Sequence, residues 1–181
     1  ALANAISRGH SAVANELCEA GAELGWEETD VASALCDRTR QGLLPELRLL
    51  VKCGASVNAA DYDKRTCLHL AASEGLHTLA AFLLEAGAHI NAKDRWGGTP
   101  LRDAVREGHH AVAKHLRSQG AELGYTPIET SAELCELARA GELVRLKLMI
   151  ACGADMNAAD YDERTCLHLA ASEGNAPIVD F

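Results

Sequence analysis

Residues Asp61 to Gly75 read DYDKRTCLHLAASEG, and residues Asp160 to Gly174 read DYDERTCLHLAASEG. Only Lys64 against Glu163 differs, at an offset of 99 residues. The match extends backwards: from Gly54 to Gly75 and from Gly153 to Gly174, nineteen of twenty-two positions agree. GAELG recurs at Gly21–Gly25 and Gly120–Gly124, and Gly9-His10 recurs as Gly108-His109, all at the same offset. A shorter period lies inside it. Gly54-Ala55, Gly87-Ala88, Gly120-Ala121 and Gly153-Ala154 stand 33 residues apart, so the long offset is three copies of one unit.

A unit of 33 residues accommodates a turn and two short helices. In residues 61–93, Thr66 is placed to cap the first helix through its hydroxyl. Leu68, Ala71 and Ala72 give that helix a small apolar face that lets a neighbour approach closely. Gly75 ends it, because the left-handed conformation of a helix stop disfavours a Cβ. Leu79, Phe82, Leu83 and Leu84 mark a bulkier second helix stopped at Gly87. One such unit cannot bury both its faces; stacked units share a continuous core.

These residues resemble the ankyrin repeat. Thr99-Pro100-Leu101 fits its signature, as do Thr66-Cys67-Leu68-His69-Leu70-Ala71 and Thr165-Cys166-Leu167-His168-Leu169-Ala170 with Cys in place of Pro. The resemblance implies an all-α solenoid of helix-turn-helix units with hairpin-like fingers. It divides the chain into a single array: 1–27 (partial), 28–60, 61–93, 94–126, 127–159 and 160–181 (partial). Units 28–60 and 127–159 lack the signature and carry Ser33-Ala34-Leu35-Cys36 and Ala132-Glu133-Leu134-Cys135 instead; they read as degenerate repeats. The ends fall inside units, which reads as a segment cut from something longer. The resemblance also gives Thr66, His69, Thr99, Pro100, Thr165 and His168 a structural role, the histidines buttressing the turns through hydrogen bonds.

Composition narrows the function. The chain is 48% apolar with only 4% aromatic residues, so Ala and Leu build the core. A formal net charge of −9 opposes nucleic acid and anionic membranes. No apolar run spans a bilayer, and a soluble, cytoplasmic setting is expected. Seven cysteines without a CxxC pair read as reduced thiols rather than a metal site. Asp61, Asp63, Asp160 and Asp162 read as residues that order the fingertip turns, and His109, His110 and His115 as helix surface. No cofactor motif, phosphate loop or nucleophile elbow is present.

What remains is a binding surface. Tyr62, Trp96 and Tyr161 fall at the tips of their units, with Trp26 and Tyr125 ahead of the degenerate ones. An exposed aromatic anchors a partner, or it packs against the next finger. Arg65, Arg95, Arg106, Arg139 and Arg164, with Glu74, Glu107 and Glu173, add mixed charge near the same face. The sequence therefore indicates a non-catalytic scaffold that binds a protein partner through Tyr62, Arg65, Glu74, Arg95, Trp96, Arg106, Tyr161 and Arg164. The alternative is a regulatory or assembly segment of a larger enzyme or ion channel. Asp94-Arg95-Trp96, Thr99-Pro100, Gly108-His109-His110 and Tyr62-Asp63 with Arg65-Thr66 resemble the ankyrin tail of kidney-type glutaminases. Related wording occurs in asparaginase/lysophospholipase-like proteins, plant potassium channels and ankyrin kinases. No catalytic residue carries over from any of these.

Overall fold

A computed structural model describes the chain from Ala1 to Phe181 except the side chain of Ser7. Twelve helices follow one another as six pairs: α1 (Leu2–Ser7) and α2 (Ser11–Glu19), α3 (Glu28–Arg40) and α4 (Leu44–Lys52), α5 (Cys67–Ser73) and α6 (His77–Glu85), α7 (Pro100–Arg106) and α8 (His110–Ser118), α9 (Pro127–Ala140) and α10 (Leu143–Ala151), α11 (Cys166–Ser172) and α12 (Ala176–Val179). The architecture is an all-α repeat solenoid. The first helices form an inner row in which α5 packs between α3 and α7, and α11 lies against α9. Each second helix packs on its own partner, and α6 also touches α8.

The residues account for these boundaries. In α5, Thr66 and His69 form a reciprocal cap: the Thr66 hydroxyl and the His69 ring each take up a backbone N–H of the first turn. Thr165 and His168 repeat it in α11. In α7 the N-cap is Thr99, which accepts from the Arg102 N–H at 3.2 Å, with Pro100 at the first helical position where no N–H is needed. Gly75, at φ +70°, turns the chain out of α5 in the left-handed region. It serves a second purpose. A Cβ there would lie 2.6 Å from the ring of His109, which fills that space.

The core is one continuous cluster of Leu and Ala. Leu35, Leu47, Leu50, Leu68, Leu79, Leu83, Leu101, Leu116 and Leu134 are wholly buried, and Ala71, Ala72, Ala80, Ala104 and Ala113 fill the narrow gaps between helices. Burying each Leu is worth about 1.5–3 kcal/mol.

The degenerate stretches differ from the expected unit. Where the regular units hold a finger and a short helix, α3 has 13 residues and α9 has 14, against 7 in α5, α7 and α11. The extra turns occupy the positions of the finger. Thr126 and Glu129 form a capping box, with Pro127 at the first helical position, so α9 starts six residues early. Lacking the aspartate of a fingertip turn, these segments continue as helix. Fingers are therefore present at Asp61–Arg65, Asp94–Gly98 and Asp160–Arg164, and the row is interrupted between the second and the third.

Candidate functional site

The three fingers share one construction. Asp61, Asp94 and Asp160 each accept two backbone N–H groups on Oδ1, from residues two and four further on, at 2.7–3.0 Å. The backbone closes each loop: Asp61 N donates to Arg65 O at 3.0 Å, Asp94 N to Gly98 O at 3.0 Å and Asp160 N to Arg164 O at 2.8 Å. In the first finger an antiparallel bridge joins Ala60 and Thr66. The fourth residue of each finger lies in the left-handed region: Lys64 at φ 58°, Gly97 at 80° and Glu163 at 58°. The position at which the two copies differ is thus the strained one. Its side chain is exposed, which leaves its identity free. Asp63 and Asp162 do not order these turns as the sequence suggests; they accept from arginines instead.

The tips are where the aromatic residues lie. Tyr62 is 86% exposed, Trp96 66% and Tyr161 104%. Between the first two fingers, Arg95 joins everything. Its N–H donates to the Asp63 carbonyl at 2.9 Å and its Nη1 reaches Asp63 Oδ1 at 2.8 Å. Its guanidinium lies 4.6 Å from the Tyr62 ring centre and 5.8 Å from that of Trp96. A cation over a ring face is attracted by the ring quadrupole. The guanidinium lies over both rings while most of their surface faces water.

Tyr161 lies apart from this group. The segment that would offer a finger beside it is the lengthened α9, so the three tip aromatics do not make one continuous row. Arg164 turns back onto its own finger, with Nη2 3.0 Å from Asp160 Oδ2 and 2.8 Å from Asp162 Oδ2.

Other candidates are engaged in the stack. Arg65 Nη2 lies 3.2 Å from Asp103 Oδ2 and 3.2 Å from Ser73 Oγ, and Arg106 Nη2 is 3.1 Å from Asp103 Oδ1. Asp103 is buried, at 2% exposure. One inward carboxylate is thus clamped by two arginines from adjacent units. Arg65 is committed to that clamp, while Arg106 is half exposed and also holds Glu107 at 3.0 Å. Glu74 is exposed next to the end of α5. Asp103 stands where the repeated stretch has Leu70, and that departure from the motif was the available signal for it.

His69 has a structural position. Its Nδ1 accepts the Thr66 N–H at 3.1 Å, and its Nε2 lies 3.2 Å from the Gly98 carbonyl of the next finger. One nitrogen accepts and the other donates, which only the neutral ring does. Burial pushes its pKa below the usual value. Thr99, the equivalent of Thr66, donates to the Glu122 carbonyl at 2.8 Å. His168 keeps its bond to the Thr165 N–H at 3.1 Å but is exposed. His110 is exposed on its helix, but His109 and His115 are not simply helix surface. His109 Nε2 lies 2.9 Å from the Ser73 carbonyl, and the rings of His77 and His115 meet edge to face at 5.0 Å.

Further fasteners escaped the sequence reading. Asn58 Nδ2 donates to the Gly87 carbonyl at 3.2 Å and its Oδ1 accepts the His89 N–H at 2.7 Å. Asn91 Oδ1 accepts the Glu122 N–H at 2.9 Å. Trp26 and Tyr125 are half-buried, and Arg102 stacks 4.1 Å from the Tyr125 ring centre. All seven cysteines are free; the neighbouring Cys67 thiol and burial push the Cys36 pKa up and keep it protonated. Among the described residues no group of three His, Cys, Asp or Glu is arranged to hold a metal, and no helix is long and apolar enough to cross a membrane.

Known families bear on this geometry. The family model described as ankyrin repeats (3 copies) matches residues 2–94 and 35–127, and that of the single ankyrin repeat matches residues 162–181. A stretch of 45 residues is 44% identical to putative glutaminase 2 of Caenorhabditis elegans. It covers 25% of this chain and 7% of that protein.

Proposed function

The chain belongs to the ankyrin-repeat family, and on that premise we propose that it binds a protein partner through the paired fingers at Asp61–Arg65 and Asp94–Gly98. Ankyrin repeats are interaction modules without chemistry of their own, which leaves the surface to be identified. The observation that carries the reading is the Tyr62–Arg95–Trp96 group. Two large aromatic side chains stand in water while their orientation is restrained by a cation that is itself bonded to Asp63. A restrained aromatic loses little side-chain entropy on binding, and Tyr, Trp and Arg dominate hot spots. Glu74 and Arg106 supply polar contacts nearby. Arg65 supports the surface from beneath, through Asp103. Tyr161 and Arg164 form a separate, secondary contact. Seven free thiols support a reducing, cytoplasmic setting.

The test is affinity against stability. Once a partner is captured, Tyr62→Ala and Trp96→Ala weaken it by about thirtyfold, the scale of a hot spot of about 2 kcal/mol. Both variants melt close to the wild type. Normal binding by both variants rejects the fingertip surface. The likeness to putative glutaminase 2 supports a second reading, in which the array is an appended segment of a larger enzyme. Sequencing the full-length transcript decides it: a neighbouring catalytic domain supports that reading, and its absence rejects it.

A further inference from the structure

The second helices carry a feature that the fingertip reading leaves unused. Between α8 and α10 lies an open groove of about 560 Å³. Its walls carry His110, Lys114 and Arg117 from α8 and Lys147 from α10, and its floor includes Leu148 and Cys152. No Asp or Glu lines it, although acids outnumber Lys and Arg by 26 to 17 in the chain. Lys114, Arg117 and Lys147 enter no ion pair among the described residues, whereas most arginines elsewhere are paired with carboxylates.

Two of the cations are held in place. Arg117 Nη1 donates to the Ala121 carbonyl at 3.1 Å, and its guanidinium lies where a Cβ on residue 153 would come within 2.9 Å; Gly153, at φ +101°, leaves that space open. Lys147 Nζ lies 4.6 Å from the centre of the Phe181 ring. The acids Glu122 and Asp155 border the adjoining cavity on the other side of Arg117, and they do not reach into the groove.

The geometry points to a docking site for an acidic peptide segment of a partner protein, one that sets carboxylates on Lys114, Arg117 and Lys147 and an aliphatic side chain on Ala151 and the stems of the two lysines. Charge complementarity selects the sign. The lining selects a peptide over a bare polyanion, since Ala151 is exposed beside the stems of Lys114 and Lys147 and offers apolar surface that a phosphate does not use.

Fluorescence anisotropy on the intact chain tests this, with a short fluorescein-labelled peptide of Glu and Leu, its Lys/Leu counterpart and a labelled DNA duplex as probes. The Glu/Leu peptide binds saturably, more weakly as salt rises, and Lys114→Glu combined with Lys147→Glu weakens it by about tenfold or more. Tyr62→Ala leaves this binding unchanged, which separates the groove from the fingertips. Thermal melts accompany each variant; if charge reversal lowers the melting temperature, the Lys114→Gln and Lys147→Gln pair is read instead. Absence of saturable binding, equal binding by the double variant, or a preference for the Lys/Leu peptide or the duplex overturns the assignment.

Discussion

Asp61–Gly75 and Asp160–Gly174 are all but identical in sequence and differ sharply in environment. Leu68 is wholly buried and Leu167 is 53% exposed. His69 is buried and bonded to the next finger, while His168 is exposed and has no such carbonyl partner among the described residues. Arg65 reaches across to Asp103, whereas Arg164 falls back onto Asp160 and Asp162. The local structure is the same in both: the aspartate-ordered finger, the Thr–His cap and the seven-residue helix recur. Local structure in this fold therefore comes from the motif, and burial comes from the neighbouring unit. The α5 copy is packed between α3 and α7, and the α11 copy lies against α9.

The largest test of that contrast is Leu68→Ala against Leu167→Ala. The first removes a side chain packed on all sides and costs about 2–5 kcal/mol; the second costs less than about 1 kcal/mol. Urea denaturation measures both. Equal losses would break the comparison. Next comes Asp103→Ala, which leaves Arg65 and Arg106 without their buried acceptor. The expected cost is about 1–3 kcal/mol, moderated because both arginines still reach water. In a structure of this variant Arg65 should fold back onto Asp61 or Asp63, as Arg164 does on its own finger.

His69 gives the contrast a pH dependence. Its folded pKa is lowered by burial from the usual 6.5, so the unfolded chain takes up the proton more readily. The contribution of neutral His69 to stability is complete above about pH 6.5 and is lost as pH falls through the interval down to the folded value. Between about pH 7 and about pH 5 the wild type should lose more stability than His69→Gln does. Identical slopes would show that His69 is not buried as a neutral ring. At neutral pH His168→Gln should cost less than His69→Gln, because only His69 spans two units.

The smallest effect belongs to the one position that differs. Lys64 and Glu163 hold the left-handed conformation, which costs a residue with a Cβ about 1 kcal/mol. Lys64→Gly and Glu163→Gly should each stabilise by about 0.5–1 kcal/mol or less, and by similar amounts, since the finger is local structure in both copies. Thermal denaturation detects the gain. Unequal effects would mean that the finger too depends on its neighbour.

By itself the sequence determined the repeat, its period, the glycine stops, the Thr caps and the placing of Tyr62 and Trp96 at the tips, whose exposure it left open. These follow from backbone preferences and side-chain bonds over a few residues, which a motif records directly. Only the tertiary structure decided the rest. It extended α3 and α9 through the places where fingers were expected and so separated Tyr161 from Trp96. It turned Arg65 from a surface candidate into a partner of buried Asp103, and it made His109 a fastener over Gly75. The Arg65 and His109 pairings depend on residues about one unit apart meeting across an interface, whereas the longer α9 starts from its own Thr126–Glu129 cap. A pairing at that distance leaves no trace in the local pattern, because each partner reads as an ordinary polar residue until its neighbour is in place.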